Sequence, residues 1–542
     1  MDERAALLMM DYWAGRYTKR QLIRKAWGLA LAAPALAAVL EAAGERLRGG
    51  AGLRPAEAAG AQRTFVVGFP DNITNPDPVS PIFGDVKVVN NNINEGIVRW
   101  KTGTVTVEPC LARSWDISPD GLTYTFHLRP ATFHDGTAVT AEAVKVSYER
   151  QIDEKHPFHF YPMTMTEIVF SNVAKVEAVD PLTVRLTQKR PAVTLLPNLA
   201  LFAEGIVSPA ALEKYGKDYA MHPTGSGPYK FERWTKGVEF VETAFNGYWG
   251  SRPAIDQVIW KTIIDNTVRL EQLRTGELDV ATQLDFKDVP ALRNDKRFNV
   301  IEGNLLDTHY LIMNQAKPPF DKREVRLAVQ RAVNKANIGK VAFAGNFTMG
   351  AGPVPPGVLG YEQSLAQVYR YDPPAARALV QQAGAADMPV TLLHLTEGFW
   401  PEVAQLIQTD LQAIGLKVSL QGFDQAALFG KINAAEHQIY LNEWVMDTGD
   451  PDDIMFGVFS APRRKRMAYQ NAEVDKLNTQ AQVERSPERR RDMYVQAQRL
   501  VLNDGPFVTL GYPKTAWGAK AEVGGLLVGP LGDVVIRGVR LT

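Results

Sequence analysis

Residues 111–136 read LARSWDISPDGLTYTFHLRPATFHDG, and their pattern sets the fold class. Asp120-Gly121 is a turn pair between β-forming segments, a strong hairpin signal because glycine takes the positive φ that a tight turn needs. After it, Thr123–Leu128 alternates, the period of a strand with one buried face. Thr140 then stands where an N-cap belongs, ahead of a helix through Arg150 with Val144 and Tyr148 on its apolar stripe. A hairpin followed by a helix places this stretch in a mixed α/β fold.

The same punctuation recurs outward from it. Ser208-Pro209 sets a capping hydroxyl before a proline at the first helical position, and Gly216 closes that helix. Asp372-Pro373 repeats the device, with Leu379 and Ala383 on one face and Gly384 as the stop. Ser486-Pro487-Glu488 opens a third such helix, running through Leu500. Thr64–Phe69, Leu182–Leu186, Val258–Ile264 and Val418–Leu420 read as strands, and the proline-containing stretch to Pro81 reads as a loop. Strands and helices alternate irregularly and without a repeat, so the class is α/β in several lobes. The length of 542 residues agrees: single cores stop growing near ~250–300 residues.

The chain holds 60 basic and 60 acidic residues. With 9 basic and 6 acidic residues in 1–61, the body is left near −3. Nucleic-acid binding needs a concentrated basic face, which this balance does not offer. The single cysteine, Cys110, excludes an intrachain disulfide and cysteine-rich metal sites.

The first 61 residues read as an export signal and leader. A basic block, Thr18 to Lys25, runs into Ala26–Leu40, fifteen residues without a charge, and Ala59-Gly60-Ala61 offers a small-residue cleavage site. The apolar run is shorter than the ~20 residues a spanning helix needs. Lys19 stands where the first arginine of a twin-arginine signal is expected, so the block fits Tat-like and Sec export alike. No cysteine lies near the cleavage region. The expectation is a periplasmic protein, exported, soluble and not a lipoprotein.

Five ordered segments carry a resemblance. They are Leu111–Gly136; Pro223-Thr-Gly-Ser-Gly-Pro-Tyr229 with Trp234 and Asn246-Gly-Tyr-Trp249; Leu273-Arg-Thr-Gly-Glu-Leu-Asp279; Pro319-Phe-Asp321 with Val325–Asn334; and Trp444–Phe456. Together they resemble family 5 of the extracytoplasmic solute-binding proteins, the dipeptide- and oligopeptide-binding group, from Thr64 to Leu531. The resemblance implies a two-lobe periplasmic-binding-protein fold, type II and cluster C-like, with an extra inserted subdomain. Lobe I would gather 62–108, 224–305 and 515–542, the inserted subdomain II would be 109–223, and lobe III 306–514. It also implies a monomer that closes on a peptide or peptide-like solute and docks on ABC permease subunits, with no cofactor.

The resemblance names candidate ligand residues. Asp447, three residues after Trp444, matches an aspartate that pairs with the α-ammonium of a peptide, a charge-assisted hydrogen bond. The other reading of Asp447 is a solvated acidic turn, because Asp450, Asp452 and Asp453 follow. Trp444 would give an apolar wall. Asn94 and Glu95 stand where relatives carry Tyr-Glu-Gly, with asparagine replacing the tyrosine. Gly225 and Ser226 resemble a crossing loop whose backbone approaches the ligand; the plainer reading is an interdomain turn. The arginine that holds a dipeptide carboxylate in relatives is missing from 392–401. His394 falls near that place and is a poor substitute for a bidentate guanidinium. Glu397, Phe399 and Trp400 would then suit a longer peptide, a cationic ligand or a sugar-like one.

Catalysis is the rival class. G-x-S-x-G and H-E-x-x-H do not occur, and the eight histidines are scattered without metal-ligand spacing. No enzyme and no metal site are expected. Arg463–Arg466 reads as a solvated loop, with contact to the permease or an anionic head group as the other reading, while Arg489–Arg491 lies in a helical first turn against the dipole and has no functional account.

Overall fold

In the computed structural model, residues 63–79, 89–161, 166–201, 205–460 and 463–542 are described. The export signal read at 1–61 lies outside them, as do parts of the loop before Val89.

The hairpin that decides the fold class is present. Strands Ala112–Ile117 and Thr123–Leu128 pair antiparallel, and Gly121 takes φ +76°. Thr183–Gln188 and Val173–Asp180 complete a four-stranded sheet. Thr140 caps the helix Ala141–Ile152 by accepting from the Ala143 N–H, and its buried face packs with this sheet around Phe126, Tyr148 and Leu186. Arg150 on that helix forks Asp77 at 3.0 and 2.6 Å, both side chains being buried.

Ser208, Asp372 and Ser486 cap their helices through side-chain oxygens, each followed by proline. The third helix runs to Asp504, beyond Leu500, because Gly505 at φ +79° supplies the stop. Of the remaining described strands, some form three two-stranded sheets and most join a 12-stranded mixed sheet. Its organising member is Phe507–Lys520, fourteen residues and almost wholly buried. The first half of this strand pairs antiparallel with Asp307–Met313 and Phe347–Met349. Its second half pairs antiparallel with Phe298–Asn304 and Val280–Ala281.

One strand therefore serves two halves of the sheet. Phe298–Asn304 leaves the second half and continues, through Leu305 and Leu306, into Asp307–Met313 on the first. Separate cores lie on either side of this crossover. One, around Leu311, Val329, Ile407, Tyr440 and Met455, covers the first half. Another, around Phe65, Trp260 and Trp517, covers the second. Trp100 and Leu531 pack against both the first core and the core of the four-stranded sheet.

Candidate functional site

Two pockets open beside the crossover and share Pro530 and Leu531. The first has about 900 Å³ of free space, open solvent at its mouth included. Asn94, Glu95, Arg99, Trp100 and Arg537 line it. Glu95 is its buried hub. Its Oε1 accepts from the Tyr248 hydroxyl at 2.8 Å, and its Oε2 from the Trp249 indole at 2.6 Å and the Ser226 hydroxyl at 3.3 Å. Arg99 donates to Glu108 at 2.8 Å and stands 3.9 Å from Glu95. The Cys110 thiol also faces Glu95, and burial followed by that carboxylate pushes it far above the usual thiol range.

Four buried polar atoms on this wall have no hydrogen-bond partner among the described residues. They are Asn94 Oδ1, Arg99 Nη1, Trp100 Nε1 and Arg537 Nε. Of these, Arg99 Nη1 stands 3.9 Å from Glu95 Oε1, and Asn94 Oδ1 lies against Gly225. Arg99 and Arg537 are guanidinium groups, which favour planar anions such as carboxylates. Neither arginine was found from sequence, because neither lies in the 392–401 stretch where the resemblance looks for one.

Gly225 and Ser226 lie behind this wall. A Cβ on Gly225 would stand 2.2 Å from the Ile93 carbonyl oxygen, so the crossing loop passes against 92–94 where only glycine fits. Ser226 is fully buried and spends its hydroxyl on Glu95. The loop positions Asn94 and Glu95.

The second pocket sits on the crossover itself and is lined by Leu305, Leu306, Asp307, His309, Phe399 and Glu443, among others. Asp307 and His309 alternate on one strand, and His309 pairs in register with Glu443 on the neighbouring one. The register brings His309 Nε2 to 3.0 Å from Asp307 and 3.1 Å from Glu443. Burial opposes the charge on His309, but the two carboxylates outweigh it and push its pKa up to about 9. Burial raises Asp307 to about 6 against the pull of His309. The histidine scatter in the sequence hid this triad, because it exists only through cross-strand pairing.

Strand alternation puts Trp444 on the opposite face from Glu443 and Val445. Its indole donates to Asp453 at 2.8 Å, and its ring borders a small space with Tyr310, Ile312 and Tyr440. Asp447 is half-buried in the loop that follows. Its N–H and that of Thr448 donate to the Asp453 carboxylate at 2.7 and 3.0 Å. Beside it, Gly449 at φ +63° lies so close to Trp100 and Val105 that a Cβ would stand 2.7 Å from Val105. The Asp447 loop thus abuts the rim of the first pocket. The reading of the neighbouring acids as a solvated turn is corrected: Asp450 is buried against Arg490 and Asp452 is held by Gln482, while Asp453 is spent on this loop.

His394, Glu397 and Trp400 line neither pocket. His394 is buried, with Nδ1 2.8 Å from the Leu395 carbonyl oxygen. Glu397 is exposed in the turn before the next helix. Trp400 is buried behind His309, ring centroids 5.0 Å apart, and its neighbour Phe399 stacks on His309 and reaches the second pocket.

A family model described as bacterial extracellular solute-binding proteins, family 5, matches residues 106–465. The chain belongs to this family. Among family 5 relatives, Di/tripeptide-binding protein 2 of Pseudomonas aeruginosa is 31% identical over 458 residues, covering 79% of this chain and 85% of that one. Glutathione-binding protein GsiB of Escherichia coli O157:H7 is 30% identical over 490 residues, covering 88% and 94%. Among solved structures, HbpA2 from Haemophilus parasuis superposes with a TM-score of 0.82 at 26% identity, covering 88% of this chain and all of that one. DppA from Helicobacter pylori, solved with the peptide STSA, has a TM-score of 0.73 at 29% identity, covering 88% and 98%. The fold is accordingly the two-lobe type II fold of family 5 binding proteins. Among the described residues no helix is long and apolar enough to cross a membrane.

Proposed function

We propose that this chain captures a peptide or peptide-like solute in the cleft beside the crossover strands and delivers it to the permease of an ABC importer. The observation that carries this reading is the first pocket, where Arg99 and Arg537 line a cleft beside the Asp447 loop. A ligand with an ammonium at one end and a carboxylate at the other matches that polarity. Asp447 takes the ammonium and Arg537, with Arg99, the carboxylate. Asn94 and Glu95 line the space between. Gly225, Ser226 and Trp444 hold these groups in place, and His394, Glu397 and Trp400 belong to the frame of the second lobe. The relatives support the ligand class, being proteins named for di- and tripeptide and glutathione binding.

The crossover at Leu305–Leu306 and along Phe507–Lys520 is the hinge in this reading. Lobe I comprises 62–108, 224–305 and 515–542, subdomain II 109–223, and lobe III 306–514. The protein acts as a monomer in the periplasm after removal of the leader at 1–61, carries no lipid, and returns its ligand unchanged. Native mass spectrometry of the purified protein tests the reading, followed by thermal shifts across peptides, amino-acid derivatives and sugars. Ligand at ~100-fold its dissociation constant adds about 2.7 kcal/mol of stability. A shift with peptides or glutathione is the expected result, whereas a shift with sugars alone overturns it.

A further inference from the structure

The second pocket contains a group that peptide capture does not use. Asp307, His309 and Glu443 bring one oxygen, one nitrogen and one oxygen within 4.8 Å of one another. The separations from His309 Nε2 are 3.0 and 3.1 Å. Ligand atoms about 2.1 Å from a common metal ion lie roughly 3.0–3.4 Å apart, and both separations from His309 match that spacing.

Hydrogen bonding alone does not satisfy the cluster. A single ring nitrogen carries at most one proton, yet Nε2 faces two carboxylates. Asp307 is 6% exposed, and its Oδ1 has no hydrogen-bond partner among the described residues. Two carboxylates against one imidazolium also leave a net negative charge around the buried Asp307 and His309, which is unfavourable. Lys514 lines the same pocket but is ion-paired to neither carboxylate. A divalent cation with a neutral imidazole would bring the net charge to zero. The ring is already fixed for this: Phe343, Phe399 and Trp400 surround it at 5.6, 5.0 and 5.0 Å between centroids.

We propose that Asp307, His309 and Glu443 form a binding site for a divalent first-row transition metal of the zinc type, with its remaining coordination positions open to the second pocket. An imidazole with two carboxylates favours such an ion over calcium or magnesium, which prefer all-oxygen sets. The strand period of two and the His309–Glu443 register supply the three ligands from a single sheet face.

The test uses the full purified chain, stripped with EDTA and dialysed. Zinc alone is titrated by calorimetry, and metal content is measured after desalting. One zinc per chain is expected, with affinity lowered about tenfold or more in His309→Gln and in Glu443→Gln. Cobalt(II) should give a visible absorption band in the wild type that is lost in His309→Gln. Glu443 is only half-buried, so Glu443→Gln keeps the test open if the histidine variant fails to fold. Absence of zinc uptake by the wild type, or the same affinity in the folded variants, overturns the site. Peptide titrations run in EDTA separate this outcome from a failure of peptide capture.

Discussion

Arg490 donates one hydrogen bond to each carboxylate oxygen of Asp450, at 2.7 and 2.6 Å, and both residues are buried. The pair explains the basic run that had no account in sequence and removes Asp450 from a solvated acidic turn. Asp450 belongs to the acidic run after Asp447, and Arg490 to the basic run in the first turn of the Pro487–Asp504 helix. Each answers the other. Arg489 and Arg491 pair with Glu484 and Glu362 at the surface.

Arg490→Ala should therefore destabilise the protein strongly, by about 3–5 kcal/mol, because it strands a buried carboxylate. Arg489→Ala, at an exposed pair, should leave the urea midpoint close to that of the wild type. Equilibrium unfolding of both variants checks the contrast. Equal midpoints would contradict the assignment of Arg490 as the anchor of the loop that carries Asp447.

Asp452 supplies a pH dependence. Burial first, then the neighbouring Asp450, raises its pKa from 3.8 to about 7. The folded state thus holds a proton that the unfolded state releases near pH 4. Its contribution to stability is fully present below about pH 4 and is lost as pH rises toward 7. Asp452→Asn keeps the hydrogen-bonding shape without the charge. Its stability relative to wild type should increase progressively between pH 4 and 7, measured by urea unfolding at each pH; a constant difference would contradict the raised pKa.

Much of the fold was legible because its signals are local. Thr140, Ser208, Asp372 and Ser486 cap helices through residues one to three positions away, and the Asp120-Gly121 turn needs only its own neighbours. The site was legible only in part. Arg99 and Arg537 meet across 438 positions of sequence, and the Asp307–His309–Glu443 cluster depends on a cross-strand register that composition does not encode. Trp444 is instructive: given the strand Ile439–Val445, a period of two already puts it opposite Glu443 and Val445.

Arg537→Ala should weaken a carboxylate-bearing ligand by about 1.5–3 kcal/mol, the range for a hydrogen bond to a charged group. Calorimetry with a peptide and its C-terminal amide checks this. The amide should lose affinity for the wild type and lose little more for the variant. Parallel losses for both ligands would place the carboxylate elsewhere.

Glu95→Gln replaces an acceptor by an amide in a place surrounded by donors from Tyr248, Trp249 and Ser226. A loss of about 1–3 kcal/mol in stability is expected, read from thermal unfolding without ligand. An unchanged midpoint would show that the hub does not tie these segments together.

In the proposed function, Asp447 reads the ammonium of the captured peptide. The direct measurement is calorimetric titration of the wild type and Asp447→Ala with a short peptide and with its N-acetylated form. One peptide per chain is expected, with affinity at least about 1.5–3 kcal/mol weaker in the variant and a matching loss on acetylation. Equal affinity for both peptides in both proteins, or binding of sugars and no peptide, would contradict this reading.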